Sequence, residues 1–144
     1  MIYLAPPENF QPKFYVVSCF IEHDGKFLML LRNEEKPEGN KWGHPAGKRD
    51  VGESEIEAVV REVKEETGID LDPSKIDRSM PVYVRYPDYD FVFHMFGSRL
   101  DDLPDVVTDP KEHRGFQWVS PEDALKTRLV MDTDICIKLF YGLN

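Results

Sequence analysis

Residues 47–69, GKRDVGESEIEAVVREVKEETGI, end in a cluster of carboxylates whose spacing constrains what the chain can fold into. Glu62, Glu65 and Glu66 are three and four positions apart. On a helix that spacing puts all three on one face, about a turn apart. Like charges so placed repel by roughly 0.2–0.5 kcal/mol per pair, so a chain that keeps them usually supplies a compensating cation. Carboxylate oxygens select a hard divalent ion such as Mg²⁺ or Mn²⁺. Read alone, REVKEE is more simply a solvated helix face, the common role of a charge run.

The residues around the cluster make the helix explicit. Ser54 followed by Glu57 matches a capping box, and Gly68 suits the left-handed residue that ends a helix. The helix is therefore expected from Glu53 or Ser54 to about Thr67. Ile56, Val59, Val60 and Val63 recur at three and four and form its buried stripe. The acidic trio should then face away from the core, at a surface cleft. Gly47 and Gly52 mark a loop before the helix.

Elsewhere the pattern alternates strands with short helices. Phe14–Glu22 reads as a strand, Asp24-Gly25 as a hairpin turn and Phe27–Arg32 as the returning strand. Residues 33–41 form a polar loop, and 70–77 a polar turn segment. Residues 81–86 and 90–99 read as paired strands and 115–119 as another. Ser120-Pro121 starts a short helix, and 132–141 is the last helix. Residues 1–12 read as an irregular, Pro-rich lead-in. At 144 residues the chain is expected to be one domain, an α/β (α+β) fold with a mixed sheet between helices.

Composition excludes several classes. The formal charge of −9 argues against duplex nucleic acid, whose phosphates are met by Lys and Arg. It does not exclude a small polyphosphate that arrives with a divalent ion. No apolar run approaches the ~20 residues of a membrane span, and MIYLAPPENFQPK has no signal-peptide form, so a cytoplasmic protein is expected. Cys19 and Cys136 lie far apart in apolar segments and read as buried thiols, and four scattered histidines give no zinc spacing.

Gly47, Glu53, Arg61, Glu62, Val63, Glu65, Glu66, Gly68 and Ile69 together occupy a fixed pattern that resembles the Nudix box, the signature of the Nudix hydrolase family. The resemblance implies an α/β/α sandwich with the box as loop–helix–loop, and Mg²⁺-dependent hydrolysis (with Mn²⁺ as a substitute) of a nucleoside diphosphate linked to another moiety. It implies that Glu65 and Glu66 ligate metal and that Glu62 is a ligand or the general base. Arg61 would orient these carboxylates, and Gly47 would offer its carbonyl to the metal. Arg61 is also spaced for structural ion pairs with Glu57 and Glu65. Glu53 reads as helix-supporting. Glu112, on a loop before the Trp118 strand, is the candidate fourth ligand or alternative base; it reads as readily as a solvated loop charge. His113 reads as incidental. Trp42 and Pro45 before the box also match the family, and Ala46 departs from the glycine many members carry.

The box specifies a reaction, and the substrate is chosen elsewhere. Arg32, Arg85 and Tyr86 are the candidate substrate contacts, with residues 33–41 and 87–90 the loops expected nearby; the same aromatics could simply face a sheet surface. The expected partner is a small nucleotide or other diphosphate, and the resemblance leaves a homodimer open. Two alternatives keep the fold and change the chemistry. A prenyl diphosphate isomerase would need a catalytic Cys near the site, which a buried Cys19 does not provide. A non-catalytic nucleotide-binding domain would ordinarily lack box carboxylates, and this chain keeps them all.

Overall fold

The structure, a computed structural model, describes residues 1–144. In chain order its elements are strands β1 (Ile2–Tyr3), β2 (Pro12–His23), β3 (Lys26–Arg32), β4 (Trp42–Gly43) and β5 (Ala46–Lys48), helix α1 (Glu55–Thr67), strands β6 (Ile76–Arg85), β7 (Asp90–Arg99) and β8 (His113–Val119), and helices α2 (Pro121–Ala124) and α3 (Thr133–Tyr141). The hairpin joining β2 to β3 turns at Asp24 and Gly25, with φ of 52° and 76°. Positive φ at both central residues matches the strand twist and explains Asp-Gly there.

The strands form one mixed sheet in the order β1-β6-β7-β2-β3-β4, with β5 added to β2 and β8 to β3. β2 and β7 run parallel from Pro12/Asp90 to Glu22/Arg99, and the other pairings are antiparallel. Period-two alternation divides β2 between two cores. Val17, Cys19 and Ile21 pack with Leu28 and Leu30 under Ala58, Val59 and Val63 of α1. Phe20 points the other way, with Phe27, Met29, Val82 and Met95 beneath Ala124 of α2 and Cys136 and Ile137 of α3. A strand covered on both faces becomes a nearly continuous apolar run, as the buried residues Val17–Ile21 show, with Ser18 the one polar member. The expected α/β/α sandwich is thus present.

Three expectations need correction. Residues 1–12 are not wholly irregular: Ile2 and Tyr3 pair with Val84 and Tyr83, because the edge of β6 offers unpaired backbone groups. The segment 70–77 is not all turn, since β6 starts at Ile76, whose side chain packs against the α1 core. The loop expected at Gly47 contains the short strand β5, preceded by β4, because two or three residues carry no alternation to detect.

Candidate active site

Helix α1 begins and ends as its sequence requires. The Glu57 amide donates to Ser54 Oγ and the Ser54 amide to the Glu57 carboxylate. Gly68 closes the helix at φ 75°. Val59 and Val63 are fully buried, and Ile56 and Val60 pack at the margin of the same core. This stripe fixes the rotation of α1 and presents Glu62 and Glu66 to β5.

The approach of α1 to β5 is unusually close. A Cβ at Gly47 would overlap the Glu62 carboxylate, so only glycine allows this carboxylate to lie against the strand backbone. The neighbouring Ala46 amide donates to Glu66 Oε2 at 3.4 Å. The three glutamates face the same cleft, as expected, but differ in burial. Glu62 is 14% exposed, Glu65 is 58% exposed, and Glu66 is half-buried in the cleft. Burial and the nearby Glu62 charge push the Glu66 carboxyl up to about 8, against the lowering effect of the Ala46 hydrogen bond. Burial also raises Glu62, despite its pairing with Arg61.

Arg61 organises the loop and the glutamates together. Its guanidinium grips Glu53 through two bonds of 2.7 and 2.9 Å, reaches Glu62 at 2.9 Å and Glu65 at 3.3 Å, and donates to the Lys48 carbonyl at 3.0 Å. The two-pronged pairing uses the planar fork that only arginine offers. Those bonds hold the Glu53 carboxyl down to about 2. Glu57 is not a partner of Arg61, because its carboxylate is taken by the Ser54 cap.

These groups border a cavity of ≈ 530 Å³. Glu62, Glu65 and Glu66 line it from α1, and Asp109, Glu112 and His113 from the approach to β8. Glu112 also pairs with Lys36 at 3.0 Å, which brings the 33–41 loop to the site. Arg32 is the one Arg or Lys in the lining, and its Nε donates to the Pro37 carbonyl at 2.8 Å. The remaining wall is largely apolar, with Ile2, Val84, Phe91, Phe93 and Met131 around Tyr86 and Asp132. Tyr86 donates its hydroxyl to Asp132 Oδ2 at 2.6 Å. As the side chains stand, no three His, Cys, Asp or Glu groups converge on a single metal position. Glu65 is drawn to Arg61 and Glu112 to Lys36.

Arg85 is outside the cavity, contrary to its expected substrate role. It pairs with Asp90 at 2.8 and 3.0 Å and donates to the Glu8 carbonyl, which ties the β6–β7 hairpin to the N-terminal segment. His113 lines the cavity, and its buried Nδ1 has no partner. His44, Asp109, Asp132 and Cys136 are cavity residues that sequence reasoning missed. Asp132 and Cys136 sit one turn apart at the start of α3, but His44 and Asp109 come from distant segments, so no local pattern joins the set. Cys19 is fully buried in the α1 core and does not line the cavity, and burial pushes its thiol up to about 12. Burial does the same to Cys136. Cys19, the thiol that the isomerase reading would need, is therefore away from the site, which weighs against that reading.

Comparison with known proteins shows the family and the fold. The NUDIX domain family model matches residues 12–140. The CTP pyrophosphohydrolase of Escherichia coli (strain K12) is 31% identical over 129 residues, 90% of this chain and 92% of that protein. The MutT protein from Methanosarcina mazei Go1 superposes with a TM-score of 0.72 at 28% identity, over 92% of this chain and 95% of that one. A bifunctional NMN adenylyltransferase/ADP ribose pyrophosphatase from Francisella tularensis, complexed with AMP and a Mn ion, shares the fold at a TM-score of 0.74 and 22% identity, over 93% of this chain and 42% of that one. The chain belongs to the Nudix hydrolase family and is an enzyme of its pyrophosphohydrolase kind.

Proposed function

We propose that residues 1–144 form a single catalytic domain that hydrolyses a pyrophosphate bond in a nucleoside triphosphate or other nucleoside diphosphate derivative, with Mg²⁺ as cofactor and Mn²⁺ able to substitute. The observation that carries this reading is the contact of Gly47 with the Glu62 carboxylate beside Glu66, at the edge of a cavity with an apolar wall. The lining supports dependence on a divalent cation. Glu62, Glu65, Glu66, Asp109, Glu112 and Asp132 face Arg32 as the one lining cation, so a polyphosphate would be repelled unless it brought positive charge with it.

The donor set suits a hard divalent ion, which Glu62, Glu65, Glu66, Glu112 and the Gly47 carbonyl would hold. Bound there, the metal supplies positive charge to the phosphoryl oxygens and makes water more acidic. Arg61 keeps Glu62 and Glu65 oriented. Glu62 or Glu112 takes the proton from the attacking water as its oxygen bonds to phosphorus and the bond to the bridging oxygen breaks. Arg32 meets the phosphate chain with a fixed positive charge. Phe91, Phe93 and Val84 shield the nucleoside, and Asp132 can accept from a base amino group while it also accepts from Tyr86. Cytosine, the base of the CTP named for the E. coli relative, carries such an amine.

The test is a hydrolysis panel in Mg²⁺ with nucleoside triphosphates, oxidised nucleotides, ADP-ribose, other nucleoside diphosphate sugars and dinucleoside polyphosphates. The expected result is a preferred nucleotide whose turnover requires the metal and is lost in Glu66→Gln. Wild-type turnover in Glu66→Gln, or turnover that persists in excess chelator, would refute the assignment.

A further inference from the structure

Asn33 brackets the start of the 33–41 loop to the segment before β8. Its amide donates to the Glu112 carbonyl at 2.9 Å, and its Nδ2 to the Pro110 carbonyl at 2.8 Å. Its Oδ1 accepts from the Glu35 amide at 3.2 Å, and its carbonyl accepts from the Lys36 amide at 3.0 Å, which closes a tight turn. That turn brings Lys36 to Glu112. Lys36 Nζ lies 3.0 Å from Glu112 Oε1, and the two side chains are 36% and 49% exposed. Both are therefore within reach of a ligand entering the cavity that Glu112 lines.

Sheet order decides which end of the cavity this pair occupies. The apolar wall of Val84, Phe91 and Phe93 comes from β6 and β7, on one side of β2. Arg32, which ends β3, and Glu112, which precedes β8, lie on the other side. Between them β5 pairs with β2 and sets Gly47 against Glu62. A nucleotide with its nucleoside on the apolar wall crosses the box glutamates before it reaches Glu112. The phosphates beyond the scissile bond then end beside Lys36.

We propose that Lys36 is a specificity-determining residue that exchanges partners: it holds Glu112 before substrate enters, and pairs with the terminal phosphate of a nucleoside triphosphate once Glu112 turns to a divalent cation. This inference rests on the nucleotide reading of the cavity and on Glu112 as one of the metal-holding groups. An ammonium and a divalent cation on one carboxylate repel each other, so the two compete for Glu112. A pair this exposed is weak, and the doubly charged ion displaces the ammonium. Freed, Lys36 keeps a point charge on a flexible stem, anchored at its base by the Asn33 turn. A terminal phosphate carries the charge that such a cation favours, and the neutral sugar of a nucleoside diphosphate sugar does not. Lys36 thus selects triphosphates over diphosphate sugars.

The test uses Lys36→Met, which keeps most of the stem and removes the charge, and it predicts effects of opposite sign. Calorimetric titration with Mn²⁺ and no nucleotide should show binding about 2- to 5-fold tighter than in wild type, because the competitor for Glu112 is gone. The gain should vanish when Lys36→Met is made in a Glu112→Gln background. In saturating Mg²⁺ the KM for the preferred triphosphate should rise about 10-fold, while that of the diphosphate sugar of the same base stays within twofold; for a compound that is not turned over, its inhibition constant replaces KM. Lys36→Arg should restore most of the triphosphate affinity. Mn²⁺ binding that is unchanged or weaker in Lys36→Met would overturn the exchange, a weaker one showing that Lys36 positions Glu112 for the metal instead. Equal rises in KM for the triphosphate and the diphosphate sugar, or no rise, would overturn the terminal-phosphate contact. The Mn²⁺ titration needs no turnover, and wild-type turnover tests the nucleotide reading by itself, so the two can fail separately.

Discussion

Gly47→Ala isolates the geometric idea at the centre of the site. The backbone at Gly47 is ordinary strand, paired with Val17, and φ is not positive, so alanine meets no backbone strain. Its Cβ would, however, fall within the Glu62 carboxylate. The Cβ would lie 2.1 Å from the nearest carboxylate atoms, so restoring the ~3.5 Å of ordinary van der Waals contact requires the carboxylate to withdraw by about 1.4 Å. Glu62 is a flexible side chain tethered at 2.9 Å to Arg61, so it can retreat without disturbing the core. Stability should therefore change by less than about 1 kcal/mol, helped by the lower chain entropy of unfolded alanine. Misplacing a reacting or ligating group by about 1 Å costs on the order of 10²-fold in rate. That is about 2.7 kcal/mol of lost transition-state stabilisation. The measurement is kcat and KM in saturating Mg²⁺, beside a thermal melt. A kcat within twofold of wild type would refute the idea that the Gly47–Glu62 approach serves catalysis. A collapse in melting temperature would show instead that the close approach is structural.

Other substitutions separate the remaining roles. Glu66→Gln should cut kcat by three orders of magnitude or more, and should weaken the rise in melting temperature that millimolar Mg²⁺ or Mn²⁺ gives the wild type; equal metal-induced shifts in both proteins would count against Glu66 as a ligand. Arg61→Lys keeps the charge but loses the fork on Glu53, and should lower kcat about 10- to 100-fold with little change in melting temperature, measured in the same assays. Glu22 offers a pH test remote from the site. Burial alone would raise its carboxyl, but hydrogen bonds from Arg78 at 2.9 Å and from Tyr141, with Arg99 beside them, hold it below the ordinary carboxylate value. A depressed folded-state value stabilises the fold above the unfolded pKa of about 4.3 and loses that stabilisation as pH falls through the folded value. Wild type should therefore exceed Glu22→Gln by about 2 kcal/mol near pH 7, with the difference vanishing in acid; denaturant melts showing a constant gap from pH 7 to 3 would disprove it.

Much of the local architecture was legible because it is encoded by neighbours. The Ser54/Glu57 cap, the Gly68 stop and the Val59/Val63 stripe fix α1 and its rotation within one stretch of chain. Asp24-Gly25 fixes the β2–β3 turn for the same reason. Glu62 and Glu66 were visible as a pair because helical spacing makes them neighbours. The short strands β1, β4 and β5 were not legible, since their backbone pairing depends on which edges the rest of the sheet leaves open.

What the sequence determined by itself was the reaction-bearing helix, its glycine-bounded loop and the family they mark. Those features are short-range, so spacing alone specifies them. The tertiary structure decided which of the candidates meet. It set Gly47 against Glu62, brought Glu112 and His113 from the approach to β8 into the same cavity, and turned Arg85 away to Asp90. It also placed His44, Tyr86 and Asp132 in one cavity lining, although they lie far apart along the chain. Such encounters depend on how a sheet covered on both faces brings distant segments together, and hydrophobic periodicity says which face a residue takes but not which distant residue it will find there.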